Sequence, residues 1–556
     1  MSEESASLAI VRDVDAMPKI FTAMGGRFTD LFSSKVGDPS PLVVGSWAPA
    51  DIQGGTNVVA LETSEIKFVT QGRSLWKDES TGKTFSAGVG DAIWIPQGSR
   101  SILVEARDLV TFYVQADARV VGQKAIDQVG GINELQLKAA VEKLLGRVKE
   151  RFISSNPKSQ KLHQDAAAVL PGGNTRSVLY HEPFPMVLSS GMGCYVTSED
   201  GRQYVDFVSE YTACMLGHSH PEIAEVVQRT MERGINLGGT SKEEVTLAQL
   251  LAQRIPSFEK LRFCNSGTEA NTMALTVALN YTKRKKILVF ENGYHGGFLG
   301  FGKTTLPTTL PFDLVLARYN DTSHAQELID SSFAAILVEP LQSVGGMIPA
   351  TRDFLQALRD AATRTGAVLV FDEVVTSRLH YNGLQSFHGV YPDMTTIGKF
   401  WGGGFSFGAF GGRGEIMEVL EPNGSAKLGH SGTFNNNVFS MNAGAKACHL
   451  ITKDKIAEIN ALGDRLREGI NAAGRHACPA SPFMRATGMG SVLNVHFDGP
   501  LASDLGEAFF FFMLDRGIYV ARRGLIALNI MHTEAHVKQA LHAVKDFLES
   551  IIELSD

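Results

Sequence analysis

The chain has 556 residues, with 52 basic against 59 acidic residues, a net charge of −7, and 44% apolar and 20% charged residues. That length calls for more than one domain, the acidity gives no electrostatic case for nucleic acid, and no apolar run approaches the length needed to cross a bilayer. The start, Met1-Ser2-Glu3-Glu4-Ser5, lacks the basic-then-apolar pattern of a secretory signal, and the five cysteines are scattered without a C-x-x-C pair. Reduced thiols in a cytoplasmic protein, away from membranes, are therefore expected.

The first 120 or so residues are built from short alternating runs: Ile66-Lys67-Phe68-Val69-Thr70, Ser74-Leu75-Trp76-Lys77, Asp91-Ala92-Ile93-Trp94-Ile95-Pro96, Ile102-Leu103-Val104-Glu105 and Val110-Thr111-Phe112-Tyr113-Val114. Gly72, Gly82, Gly88, Gly90 and Gly98 separate them. Many short strands with closely spaced turns predict a small antiparallel barrel or sandwich. Gly90-Asp91-Ala92-Ile93-Trp94-Ile95-Pro96-Gln97-Gly98 resembles the second half of a cupin motif, which implies an all-β cupin-like barrel over residues 1–121. Histidine is absent before His163. The His-x-His…Glu set of metal-binding cupins is thus missing, and no metal is expected. A ligand-binding, regulatory or oligomerisation role and a purely structural one stay open for this region.

Residues 122–162 change period. From Ile132 to Ile153, Leu135, Leu137, Ala140, Val141, Leu144, Leu145, Val148 and Phe152 recur at helical spacing, which predicts a linker helix with a break at Asn156-Pro157. From about residue 163 the pattern alternates strand and helix. Leu261–Cys264, Ile287–Phe290, Ala334–Glu339 and Val368–Phe371 are apolar runs, and Thr351 to Thr365 is helical in period. Apolar strands alternating with helices predict a parallel sheet covered on both faces. The tail returns to α+β, with a strand at Ser491–His496 and a helix over Leu501–Arg516.

Three segments in this second region carry chemistry. Ser266-Gly267-Thr268-Glu269-Ala270-Asn271 follows a strand and opens a helix, where free N–H groups and the helix dipole bind phosphate. Gly267 lets the backbone approach, and the Ser266 and Thr268 hydroxyls add donors. Asp372 ends a strand at the edge where ligands of open α/β sheets bind, with Val374 two residues on. Lys399 lies in Thr396-Ile397-Gly398-Lys399-Phe400-Trp401-Gly402-Gly403-Gly404. Tyr294-His295-Gly296 offers an aromatic ring after another strand, and Gly432-Thr433-Phe434-Asn435-Asn436-Asn437 offers a further hydroxyl and amides. A phosphate cradle, an acid and a lysine in that order are what pyridoxal 5′-phosphate (PLP) chemistry asks of a protein. The acid keeps the pyridine nitrogen protonated, because an opposite charge favours the charged form. The lysine then moves a proton at close range.

Together these residues resemble the class III aminotransferases over about residues 163–550. The resemblance implies PLP fold type I: an α/β large domain (about 220–440) with a mixed, mostly parallel sheet, and a small α+β domain from 163–219 and 441–556. It implies that Gly267 and Thr268 bind phosphate, Tyr294 stacks on the ring, Asp372 pairs with the ring nitrogen and Lys399 is the Schiff-base lysine. It also implies a homodimer with shared sites, in which Thr433 reaches the neighbouring subunit's phosphate. Pro171-Gly172-Gly173 and Leu216-Gly217-His218-Ser219-His220-Pro221 are similar to glutamate-1-semialdehyde aminomutases. Pro171–Val178, His295–Gly302 and Arg522-Arg523-Gly524-Leu525-Ile526-Ala527-Leu528 resemble bacterial β-phenylalanine aminotransferases. In that subgroup an arginine of the first and of the last segment receives a carboxylate, here Arg176 and one of Arg522 or Arg523. The expected activity is transfer of an amine from a β-amino acid to an α-keto acid such as 2-oxoglutarate or pyruvate. The competing readings are an aminomutase, a transaminase for another amine, and a non-catalytic PLP-binding sensor. The short segment Gly302–Thr309 weighs against the mutase, which needs a lid to retain its intermediate.

Overall fold

The computed structural model describes residues 20–21, 27–33, 42–48, 52–53, 58–60, 65–78, 83–95 and 100–116, and residues 134–555 apart from 236, 425–427 and 479–482. The chain divides into two compact units, one taking in Met1–Leu137 and the other Lys138–Ala477 and Phe483–Leu554. Among the described residues, no helix is long and apolar enough to cross a membrane.

The first unit holds one nine-stranded sheet built around two long strands, Glu65–Asp78 and Arg100–Ala116, which pair antiparallel. Each of these merges two runs that the sequence pattern separates, Ile66–Thr70 with Ser74–Lys77 and Ile102–Glu105 with Val110–Val114. The reason lies at Gly72. It does not end a strand; it makes an irregularity in the ladder, where the register shifts on both sides. Gly72 adopts φ +74 and lies so close to the partner strand that a Cβ would fall 2.3 Å from the Arg107 and Asp108 carbonyl oxygens. Only glycine fits both demands. Val69, Trp76, Leu103 and Leu109 are buried. Pro96-Gln97-Gly98 of the cupin-like motif, residues 117–121 at the end of the cupin-like region, and residues 122–133 of the segment read as a linker lie outside the described residues.

A helix at Glu134–Ser155 carries the chain into the second unit, and another follows at Pro157–Ala167, starting with Pro157 in its first turn. Proline is tolerated there because that N–H has no intrahelical acceptor. Phe152 packs its ring against His181, Phe184 and Phe511 at 5.1–5.7 Å. The helix thus docks on the α/β unit.

The central sheet has seven strands in the order Lys260–Cys264, Gly408–Gly412, Met394–Gly398, Val368–Asp372, Phe333–Val338, Lys286–Phe290 and Asp313–Ala317. All its pairings are parallel except the two made by Gly408–Gly412. Phe333–Val338, Val368–Asp372 and Met394–Gly398 are buried at every position, as a sheet covered on both faces requires. Helices Gly267–Thr282 and Arg352–Thr365 lie over it; the latter is capped by Thr351, whose hydroxyl accepts the Phe354 N–H, and ends at Gly366 in the left-handed conformation. The periodicity placed four of the seven strands. The glycine-rich Gly408–Gly412 and the Thr-rich Met394–Gly398 carry no strong apolar signal, yet they are sheltered by their neighbours in the sheet. Three smaller sheets complete the unit among the described residues. One joins Leu188–Met192, Tyr195–Ser198, Gln203–Asp206 and Ile518–Tyr519, a second joins Met484–Met489, Val492–Phe497 and Leu525–Ala527, and the third pairs Leu341–Gln342 with Ile348–Pro349.

Candidate active site

The strands Lys260–Cys264, Lys286–Phe290, Val368–Asp372 and Met394–Gly398 all point the same way, because Gly408–Gly412 runs antiparallel to both strands beside it. Their C-terminal ends therefore deliver Ser266, Tyr294, Asp372 and Lys399 to one edge of the sheet, the edge where open α/β sheets bind ligands.

Helix Gly267–Thr282 begins at this edge. Ser266 Oγ accepts the Glu269 N–H at 3.1 Å and Ser266 O accepts the Ala270 N–H at 3.0 Å. Glu269 in turn receives the N–H and the side-chain amide of Asn265. The Gly267 and Thr268 amides open the helix, where N–H groups have no intrahelical acceptor. Glycine is required here by contact rather than by torsion. A Cβ on Gly267 would come within 2.9 Å of both methyls of Val374. Thr268 Oγ1 accepts the Gly297 N–H at 3.2 Å, and a Cβ on Gly296 would meet that oxygen at 2.3 Å. Val374, Gly267, Thr268 and Gly296 are thus gathered into one tight cradle of backbone.

Asp372 is buried at the strand end. Its Oδ1 accepts the Val374 N–H at 3.0 Å, and its Oδ2 accepts the Asn271 side-chain amide at 2.8 Å and lies 2.8 Å from His295 Nδ1. Three donors orient the carboxylate and still leave lone-pair capacity for one more partner. Asn271 is itself fixed, donating also to His295 O and accepting from Thr396 Oγ1. Tyr294 is 44% exposed, so its ring is open to a stacking partner. Its N–H donates at 3.0 Å to the buried Glu339, whose other oxygen accepts the Ser343 N–H. Burial raises the Glu339 carboxyl above its ordinary range.

Lys399 follows its strand with a backbone φ of +57, a conformation that an L-residue adopts only where its surroundings hold it. Its Nζ donates to Tyr211 O at 2.8 Å. Desolvation pushes the ammonium down to about 8, against the opposing pull of Asp372. An amine whose neutral form is substantially populated near physiological pH suits a nucleophile and proton carrier.

The Tyr211 carbonyl belongs to an unusual element. Ser209, Glu210, Tyr211 and Thr212 all have positive φ, from +44 to +79. A left-handed conformation costs an L-residue roughly 1–2 kcal/mol, so four in succession need external support. Asp206 Oδ1 accepts the Val208 and Ser209 N–H groups, while its Oδ2 lies 2.8 Å from His218 Nε2. Ser209 Oγ donates to Ala527 O. Arg378 Nη1 donates to Thr212 O.

Arg176 pairs with Glu210 and lies 5.3 Å above the Tyr211 ring. Both members of that pair are well exposed, so water screens the attraction and an incoming carboxylate can replace Glu210. Of the two arginines of the last segment, Arg522 points to Glu507 at 3.9 Å and borders a cavity of about 500 Å³ that Tyr211 also lines, with Leu162, Val178, Met186 and Phe510. Burial raises the Tyr211 phenol, and the Arg176 guanidinium over its ring opposes the rise.

Of the residues singled out from sequence, Ser266, Gly267, Thr268, Tyr294, Asp372, Val374 and Lys399 gather at the sheet edge, with Arg176 over the Tyr211 ring and Arg522 on the cavity Tyr211 also lines. Thr433 is exposed on the loop before helix Val438–Leu450, a loop tied down by Asn435 to Asn265 and His430. The sequence reading gave no role to Asn271, His295, Glu339, Tyr211 or Arg378. His295 and Asn271 had a usable signal, since each stands inside a segment already marked. Tyr211 and Arg378 had none.

A family profile described as Aminotransferase class-III matches residues 178–552. The chain is 45% identical over 424 residues to the β-phenylalanine transaminase of Variovorax paradoxus, covering 74% of this chain and 97% of that protein. It is 34% identical to glutamate-1-semialdehyde 2,1-aminomutase 1 of Lachnoclostridium phytofermentans, covering 71% and 99%. The crystal structure of a β-phenylalanine aminotransferase from V. paradoxus superposes with a TM-score of 0.71 at 44% identity, over 74% of this chain and 97% of that one.

Proposed function

Because the chain belongs to the class-III aminotransferases, which work with pyridoxal 5′-phosphate, we propose that its amino donor is a β-amino acid of the β-phenylalanine type and its acceptor an α-keto acid such as 2-oxoglutarate or pyruvate. The observation that carries this reading is Arg176 over the Tyr211 ring, in an exposed pair with Glu210, together with Arg522 on the cavity that Tyr211 also lines. A β-amino acid holds its carboxylate one carbon further from the amine than an α-amino acid does. A site that serves both half-reactions needs two carboxylate receivers in different places, and guanidinium forks suit carboxylates. The relative at 45% identity, named for β-phenylalanine, supports the same donor class.

The residues fit the cofactor. The Gly267 and Thr268 amides and the Ser266 and Thr268 hydroxyls would hold its phosphate, in a cradle that a Cβ would fill. Asp372 would face its ring nitrogen, Val374 and Tyr294 would bracket the ring, and Lys399 would carry it covalently. When bound, the cofactor supplies the electron sink for breaking a C–H bond beside the nitrogen. The chain's own part is to hold and move the proton. Lys399 Nζ, half of it neutral at about pH 8, accepts the proton from the amine-bearing carbon and delivers it nearby without a diffusive step. Asn271 and His295 keep Asp372 aimed while this happens.

A homodimer with shared sites accords with the exposed Phe298 (55%) and Phe434 (56%), which stand on the segments that carry Tyr294 and Thr433. In that arrangement Thr433 serves the partner subunit's phosphate. Five free thiols accord with a reducing, cytoplasmic setting. Residues 1–121 are read as a cupin-like module without metal ligands, and 163–556 as the aminotransferase proper.

The test is a spectrum of the cofactor-loaded protein before and after β-phenylalanine, with no keto acid present. Conversion to the pyridoxamine form is the expected result. No conversion, with another amine still converting the cofactor, would reject this donor class. The aminomutase alternative predicts turnover of its own substrate without a keto acid. It is disfavoured by the segment after Tyr294, which is knit to itself: Thr309 Oγ1 donates to Gly300 O, and the Leu310 N–H to Phe298 O. Arg176→Ala is expected to raise KM for carboxylate substrates about tenfold or more, from loss of a charge-assisted pair, and to spare simple amines. Equal losses for both would remove its proposed role; steady-state kinetics with matched substrates decide.

A further inference from the structure

Arg378 is wholly buried, at 0% exposure, in the short helical turn Thr376–Arg378. Its guanidinium donates to three neutral oxygens: Ser491 Oγ at 3.2 Å, Thr212 O at 3.2 Å and Leu528 O. A buried cation is ordinarily paired with an anion, because an unpaired one is expensive to desolvate. Burial alone pushes this guanidinium down to about 10. An uncompensated charge held in the core calls for an explanation beyond packing.

Its position supplies one. Thr212 O is the last carbonyl of the left-handed turn Ser209–Thr212, and the preceding carbonyl, that of Tyr211, receives Lys399 Nζ. The front of the turn is held by Asp206 and by Ser209, which Asn529 also contacts. The back is held by Arg378. One peptide unit thus separates the guanidinium's acceptor from the lysine's.

We infer that Arg378 is a positioning residue for the reactive amine: it fixes the carbonyl to which Lys399 Nζ is docked, and its unpaired positive charge favours the neutral, nucleophilic form of that amine. The inference rests on the reading of Lys399 as the residue that carries the cofactor. The charged groups that face Lys399 are Asp372 and Glu339, which favour its ammonium, and Arg378 and Arg176, which oppose it. Arg176 is paired with Glu210 at the exposed mouth, so its field is largely cancelled and screened. Arg378 is the buried member of the cationic pair, and its field is felt at low dielectric.

The experiment follows covalent capture of pyridoxal phosphate by the full chain stripped of cofactor. Capture is measured across pH by borohydride trapping and mass spectrometry. Only the neutral amine attacks the aldehyde, so the midpoint of the rate profile reports Lys399. Three variants are compared. Arg378→Met removes both the charge and the donors. Arg378→Lys keeps the charge and loses the fork. Ser491→Asp leaves Arg378 in place and neutralises it with a carboxylate at its Nε. The expected result is a midpoint raised by about one pH unit in Arg378→Met and in Ser491→Asp, and close to the parent in Arg378→Lys. Unshifted midpoints in Arg378→Met and Ser491→Asp would overturn the inference and leave Arg378 a structural brace. If Arg378→Met does not fold, Ser491→Asp with Arg378→Lys decides. Lys399→Ala is the control: an adduct of equal yield in that variant would sink the assignment of Lys399 itself, a separate failure.

Discussion

Lys399→Ala is expected to lower kcat by about four orders of magnitude or more, since it removes at once the proton carrier and the nucleophile. Among the described residues, the other charged groups that face Lys399 are Asp372, already bound by three donors, the buried Glu339, and Arg176 and Arg378, whose guanidiniums do not give up their protons. The substitution is mild for the fold, because alanine tolerates the φ of +57 about as well as lysine does. The single bond lost is that from Nζ to Tyr211 O. The melting temperature of the cofactor-free protein should therefore stay close to the parent's, and borohydride reduction should leave no cofactor on residue 399. Substantial turnover in this variant would remove the site described above.

Asp372→Asn is expected to lower kcat about 10²–10³-fold, the usual cost of removing one preorganised electrostatic partner from a dry site. Asparagine keeps the size of the side chain and one carbonyl oxygen for Asn271 or His295. What it lacks is the charge that would keep a ring nitrogen protonated. Asp372→Ala should be worse in a different way, because it strands the buried Asn271 amide and His295 Nδ1. Each unsatisfied donor costs about 1–3 kcal/mol, so the alanine variant should lose stability as well as rate. A comparison of denaturant midpoints with kcat for the two variants separates the charge from the scaffold. If Asp372→Asn turned over like the parent, the carboxylate would be a strand-end cap and no more.

Ser266-Gly267-Thr268, Asp372 and Lys399 were readable because each advertises itself locally: a helix start rich in small residues, an acid at the end of an apolar run, a lysine among glycines. Strand polarity then carries them to one edge of a parallel sheet. The class of fold was readable for the same reason, since fully apolar runs alternating with helical periods admit few other layer arrangements. The strand Glu65–Asp78 was cut at Gly72 because glycine often marks a turn, whereas Gly72 sits in a bulge where its missing side chain allows a close approach.

What only the tertiary structure decided are the contacts between distant positions. His295 meets Asp372 across 77 residues of chain, Arg378 meets Thr212 across 166, and Lys399 meets Tyr211 across 188. No local propensity encodes such pairs. They arise when the crossovers of the large sheet and the return of the C-terminal strands bring separate loops to one place. The surroundings of Arg522 are of the same kind, since nothing local puts it beside Glu507 or on the cavity that Tyr211 lines. A sequence states which chemical groups are available, because that is written residue by residue; which of them share a dielectric, a partner and a direction is settled by packing.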